Sequence, residues 1–386
     1  MRILLFTGKG GVGKTTLAAA TATALAGRGR KTLVVSTDPA HSLGDAFGTP
    51  LGGEPSEVDL AGDGASSGLW AAQVDSRALV DRTWHELREL LRAVLTGVGL
   101  DALDAEELTV LPGVDELLAL GEVRRLAAHG PWDTVVVDCG PTAETLRLLA
   151  LPEAVAGYLS RAHGRRGRVA NSVRRLGAHL DALREMLTDP SVTTVRLVLT
   201  PERVVVAEAR RTVTALALRG IAVDGLIANR LMPAPGFWRG SAATWLRTRR
   251  AQQDAVLAEL AAAGYGPADL ARVEHRAGEP VGATALAELA HELYGTRDPL
   301  SGTGKPVTPL LQVTPEDDGF RLRVALPLQR EAEVDLARVD DDLAITVDGY
   351  RRLIALPEPL RPCHITGAES DADGLVISLA GDRGRG

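Results

Sequence analysis

Apolar residues along the 386-residue chain fall into two regimes. Up to about residue 295, short apolar runs alternate with longer Ala/Leu-rich stretches. The runs are Arg2–Thr7, Lys31–Ser36, Leu69–Val74, Thr134–Val137, Thr194–Leu199 and Val223–Ala228. Continuous apolar runs of this length, bounded by turn residues, predict buried strands. The stretches Thr16–Gly27, Ser76–Val98, Val155–Leu187, Glu202–Arg219, Thr244–Ala263 and Ala283–Tyr294 predict helices. Strand followed by helix, repeated, predicts βαβ units and a mainly parallel sheet flanked by helices. A Gly/Pro/Ser/Thr-rich stretch, Gly295–Pro306, then reads as a linker. Beyond it the apolar period becomes two: Phe320, Leu322, Val324 and Leu326; Leu343, Ile345 and Val347; Leu375, Ile377 and Leu379. Turn signals at Asp348-Gly349 and Asp373-Gly374 separate these runs, so a small all-β domain is expected. The division expected is an α/β domain over 1–295, a linker over 296–308 and the all-β domain over 309–386. Within the first domain, 76–130 and 153–190 form its helical regions.

Composition adds constraints. Hydrophobic residues make up 45% and charged residues 24%, as in a globular protein. A net charge of −7 gives no reason to expect nucleic-acid binding. No apolar stretch is long enough to span a bilayer, and Met1 leads directly into a core strand, so neither membrane insertion nor a signal peptide is expected. The two cysteines, Cys139 and Cys363, lie far apart in sequence, without metal-ligand spacing, and fit free thiols of a reducing cytoplasm. Val155–Leu187 is unusually basic, with Arg161, Arg165, Arg166, Arg168, Arg174 and Arg175. It reads either as a solvated helical face or as a docking surface for a partner.

The chemistry begins where the first strand ends. Gly8-Lys9-Gly10-Gly11-Val12-Gly13-Lys14-Thr15-Thr16 fits G-x-x-x-x-G-K-[ST], the phosphate-loop pattern, between a strand and a helix. Glycines let successive backbone N–H groups turn inward around phosphate oxygens, and the following helix points its positive dipole end at the same anion. Lys14 is placed to reach β- and γ-phosphates, and the Thr15 hydroxyl to hold Mg²⁺. The run Thr134–Val137 ends in Asp138, a strand-end carboxylate suited to Mg²⁺ or its waters. A nucleoside triphosphate and Mg²⁺ are therefore the expected ligands, and the resemblance that follows narrows the nucleotide to ATP.

These motifs together resemble the ArsA/Get3 ATPases. Lys9 inside the loop is similar to the deviant Walker A of the nitrogenase-iron-protein, ParA/MinD and ArsA/Get3 class. Ser36-Thr-Asp38-Pro-Ala-His41-Ser-Leu-Gly-Asp45-Ala-Phe47 resembles their switch I. Asp138-Cys-Gly-Pro141-Thr142-Ala-Glu144-Thr145-Leu-Arg147 is similar to their switch II. Asn229 falls in a segment that meets adenine in the family, and Glu202 where the family has another nucleotide-contacting glutamate. The tail, through Val324-Ala-Leu-Pro327, Asp348-Gly349-Tyr350, Leu356-Pro357 and Gly374–Leu379, resembles an HSP20-like (α-crystallin) sandwich. Bacterial ArsA-type proteins and a plastid/cyanobacterial-type Get3 branch carry such a domain.

The resemblance implies a P-loop fold and a homodimer with composite active sites. Asp38 would position and polarise the attacking water, and Lys9 would reach the nucleotide of the opposite subunit. For His41 two roles stay open, packing within the switch or contacting the phosphate region. A nucleotide-driven switch between open and closed dimers would gate a protein client. Alternatives are a ParA/MinD-like assembly protein and an ATP-independent holdase acting through the sandwich. Two sequence-distant cysteines disfavour an arsenite pump. The Cys-x-x-Cys zinc clamp of eukaryotic Get3 is absent, so no structural zinc is expected. Three methionines are few for an adaptable apolar client groove.

Overall fold

The computed structural model describes residues 1–38, 42–60, 66–75, 114–139, 168–234, 236, 239–262, 270–301, 311–316, 319–325, 333–347, 349–371 and 374–381. His41, the helix expected over 76–98, the basic stretch over 155–167 and the switch II segment from 140 to 152 lie outside them. Contacts divide the chain into two units, Met1–Val198 with Arg276–Ser301 and Leu199–His275 with Gly302–Gly386.

In the first unit, β1 (Arg2–Thr7), β2 (Thr32–Ser36), β3 (Ser56–Glu57), β4 (Leu69–Gln73), β5 (Thr134–Asp138) and β6 (Thr193–Leu199) form a sheet. Their order is β3-β4-β2-β5-β1-β6, and only the β3–β4 pair is antiparallel. Every residue of β2, β5 and β6 is buried, which is why these strands read as continuous apolar runs. The order determines what meets what. Because β5 lies between β1 and β2, Asp138 pairs with Phe6 on one side and Ser36 on the other. The carboxyl ends of three separate strands therefore converge.

Helix α1 (Lys14–Ala26) is buried from Leu17 onward. Its alanines let the sheet and neighbouring helices approach closely, and α7 (Ala283–Tyr294) packs on it through Leu286, Leu289 and Leu293. A short helix α2 (Ser42–Phe47) follows β2. Helices α3 (Val114–His129) and α4 (Arg168–Thr188) also pack together. Gly121 of α3 is explained by this approach, because a Cβ there would lie 2.9 Å from His179 Nε2.

The first residues of the expected linker are docked on this unit. Arg28 donates to the carbonyls of Gly295 and Arg297, and Arg30 pairs with Asp298. Buried Arg196 donates to Pro299 O at 3.0 Å and to the Tyr294 hydroxyl at 2.9 Å. The Tyr294 hydroxyl also meets Thr21 Oγ1 of α1 at 2.7 Å.

The second unit contains α5 (Arg203–Leu218), β7 (Val223–Leu231), α6 (Ser241–Ala262) and β8 (Leu270–Glu274), with β7 and β8 parallel. It also contains two antiparallel sheets. One has the order β14-β15-β10-β9, from β9 (Leu311–Glu316), β10 (Gly319–Ala325), β14 (Cys363–Asp371) and β15 (Gly374–Gly381). The other runs β11-β12-β13, from β11 (Val334–Val339), β12 (Asp342–Val347) and β13 (Tyr350–Ala355). Their buried residues form one cluster, including Leu322, Val324, Ile345, Val347, Leu375 and Ile377. The alternating residues seen in sequence are thus the inner faces of a sandwich. Leu218, from the last turn of α5, is buried in the same cluster. Strands β9 and β14 carry mostly exposed residues, and β9 includes Pro315. They are edge strands made by pairing and not by burial, so apolar alternation does not reveal them.

Candidate active site

The glycine loop leaves β1 at Thr7. Gly8 has φ +148°, and a Cβ there would lie 2.1 Å from Val198 O, so no other residue fits. Gly11 and Gly13 have φ +79° and +92°, a left-handed geometry that turns N–H groups toward one side. Gly13 caps α1 with no side-chain hydrogen bond, leaving the first-turn N–H groups of α1 to an anion. Lys14 Nζ donates to Lys9 O at 3.3 Å, so the lysine folds over its own loop. Thr16, next in the helix, is half-buried, Val12 packs inward, and Gly10 and exposed Lys9 form the loop's outer rim.

Beneath the loop is a cluster of hard oxygen atoms. Asp138 Oδ2 accepts from Thr15 Oγ1 at 2.7 Å and from Ser36 Oγ at 2.9 Å. The Ser42 hydroxyl lies 3.1 Å from Thr15 Oγ1. Among the described residues, Asp138 Oδ1 is buried without a hydrogen-bond partner. Burial pushes the Asp138 carboxyl above the usual carboxylate range; the Thr15 and Ser36 hydrogen bonds and the Lys14 charge pull against it. An orphaned carboxylate oxygen beside three hydroxyls fits Mg²⁺ or its waters, which prefer such oxygens. Neighbouring Cys139 is buried, and burial pushes its thiol up, with the Asp138 charge adding to the effect.

Asp38 follows β2. Its backbone N–H donates to Ser36 Oγ at 3.2 Å, and its carbonyl accepts from Gln73 Nε2 at 2.7 Å. Thr37 N donates to Asp138 O at 3.0 Å, tying the same segment to β5. Lys9, Lys14, Thr15, Asp38 and Asp138 are thereby linked through the backbone and side chains of β1, β2 and β5. Glu202 and Asn229 belong to the second unit. Glu202 is the N-cap of α5, and its carboxylate pairs with Arg249 at 2.8 Å. Asn229 Oδ1 accepts from Arg230 N at 2.9 Å. Arg230 has φ +59°, and the β7–β8 register shifts between Ala228 and Leu231, so Asn229 stands on a bulge that re-aims the strand end.

The model of the Anion-transporting ATPase family matches residues 1–176 and 163–295. The chain belongs to this family. The HSP20-like domain found in ArsA matches residues 317–379, the sandwich of the second unit. Protein Rv2184c of Mycobacterium tuberculosis is 40% identical over 97% of this chain and 95% of its own length. A Chlorobaculum tepidum protein named "Putative arsenical pump-driving ATPase" is 33% identical over 93% of this chain and 91% of its own. The ATPase GET3 of Malassezia globosa is 30% identical over 66% of this chain and 78% of its own.

Three residues of the site escape the motif reading. Ser36 and Ser42 lie inside the switch I match but carry no expected role there. Gln73 ends an otherwise apolar strand, Leu-Trp-Ala-Ala-Gln, and that single polar position is its only signal in the sequence.

Proposed function

We propose that this protein is an Mg²⁺-dependent ATP hydrolase of the ArsA/Get3 type that works as a homodimer and uses the nucleotide cycle to gate a protein client in the cytoplasm. The observation that carries the reading is the Asp138 carboxylate, one oxygen bound by the Thr15 and Ser36 hydroxyls and the other left without a partner among the described residues, beside a helix N-terminus with no side-chain cap. Thr15 and Asp138 would hold Mg²⁺, partly through water, with Gly8–Thr16 around the phosphates. Bound Mg²⁺ supplies charge neutralisation on the phosphate oxygens. Lys14 leaves Lys9 O for the β- and γ-phosphates. Asp38 accepts a hydrogen bond from the attacking water and orients it. Exposed Lys9 reaches the partner subunit's nucleotide, where it offsets charge developing in the transferred phosphoryl group. Glu202 and Asn229 contact the nucleoside. With a division into 1–295, a linker over 296–308 and the sandwich over 309–386, client handling would fall to the helical regions about 76–130 and 153–190 and to the sandwich. Both cysteines are buried, which supports a metalloid-free role.

The test is MgATP turnover by wild type, Lys14→Ala and Asp38→Asn. Asp38→Asn is expected to bind ATP with near-normal affinity and to lose at least about a hundredfold in kcat. Wild-type turnover in that variant would remove Asp38 from the chemistry.

A further inference from the structure

The Asp38 peptide is held at both ends. Its N–H is bound by Ser36 Oγ, which itself donates to Asp138, and its carbonyl is bound by the Gln73 side-chain amide. Gln73 is 3% exposed, on a strand whose other side chains are apolar and which pairs with the fully buried β2. A leucine there would bury more cheaply, because a desolvated amide costs stability unless it is bonded. Among the described residues Gln73 Oε1 has no partner, and the Nε2 bond to Asp38 is the side chain's one hydrogen bond. Turning the amide over would set Oε1 against the Asp38 carbonyl, oxygen to oxygen, so this orientation follows from the contact. The backbone of Gln73 fixes its own position. Its N–H donates to Gly52 O at 2.7 Å, it pairs with Ser36 across the sheet, and Val74 N donates to Ser36 O at 2.9 Å. A hydrogen-bonded strand end thus presents one buried donor to the residue that carries the proposed water-orienting carboxylate.

We infer that Gln73 is a positioning residue for ATP hydrolysis, holding the Asp38 peptide in the geometry that aims its carboxylate at the attacking water. This rests on the reading of Asp38 given above. Among the described residues Gln73 makes no hydrogen bond to the groups assigned to phosphate or Mg²⁺, so its effect belongs to the chemical step and not to nucleotide affinity.

The experiment measures kcat, KM for MgATP and ATP affinity for Gln73→Leu and Gln73→Glu, alone and combined with Asp38→Asn. Gln73→Leu is expected to lose roughly ten- to a hundredfold in kcat, with ATP affinity within about twofold of wild type. In the Asp38→Asn background the same substitution should cause no further loss. Gln73→Glu can donate to the Asp38 carbonyl only while protonated. Its kcat relative to wild type should therefore fall as pH rises, a pattern that a packing defect does not produce. If Gln73→Leu does not fold, this pH trend alone decides the matter. Wild-type kcat in Gln73→Leu, an equal loss of affinity and kcat, or a pH-independent ratio for Gln73→Glu overturns the inference. If Asp38→Asn turns over like wild type, the reading of Asp38 fails and this inference falls with it. If Asp38→Asn is inactive while Gln73→Leu is normal, only the inference about Gln73 fails.

Discussion

Asp138 is the residue on which fold and chemistry conflict most directly. It is fully buried, it receives two hydroxyl hydrogen bonds on one oxygen, and its other oxygen has none. Burial is the largest influence on its carboxyl and opposes ionisation. Asp138→Asn keeps the shape, lets Thr15 and Ser36 donate as before, and removes the buried charge. The nucleotide-free variant is therefore expected to melt higher than wild type at neutral pH, by about 1 kcal/mol of stability, while losing Mg²⁺-dependent turnover. Thermal melts with and without MgATP check both halves. A lower melting temperature without nucleotide would show that the two hydroxyl contacts favour the charged form more than burial opposes it.

Among the elements, the α3–α4 pair carries its own pH dependence. His179 of α4 lies against Gly121, with Nδ1 3.5 Å from the Arg124 guanidinium of α3. Burial, and then the Arg124 charge, hold its imidazole below the usual histidine value. The folded state thus binds this proton less tightly than the unfolded chain. Its contribution to stability is complete above about pH 6.5 and is lost as pH falls from there toward the lowered value. Wild type is expected to lose about 1–2 °C in melting temperature relative to His179→Gln between pH 7.5 and 5.5, a modest effect because the ring is only partly buried. An unchanged difference across that range would show that His179 contributes nothing to this trend. The elements also show what apolar pattern can reveal. Strands β1, β2, β5, β6 and β7 were legible because burial on both faces demands continuous apolar runs. Strands β8, β9 and β14 were not, since their place depends on hydrogen bonding to a neighbour and each carries mostly exposed or partly exposed residues.

At the scale of the whole molecule, the sandwich does more than follow a linker. Leu218 of α5 is part of its core, and α5 begins at the N-cap Glu202, so one helix joins the proposed nucleoside contact to the HSP20-like domain. The proposed composite site of a dimer rests on Lys9, which the loop leaves exposed at its rim. Lys9→Ala is expected to bind ATP much as wild type does and to lose hydrolysis. Wild-type specific activity should fall on dilution as dimers dissociate. Full activity in the variant, read beside the mass of the assembly by light scattering, would overturn the composite site.

The sequence alone determined the phosphate loop, the strand-end aspartate, the family and the change from buried strands to period-two strands. Each of these is local, because glycine spacing, apolar runs and alternation are written in consecutive residues. Tertiary structure decided the rest. That Ser36 meets Asp138 follows from β5 lying between β1 and β2, and that Gln73 holds Asp38 follows from β4 pairing with β2. Such contacts join residues tens of positions apart, and pairing across the sheet brings them together where no spacing along the chain can record it.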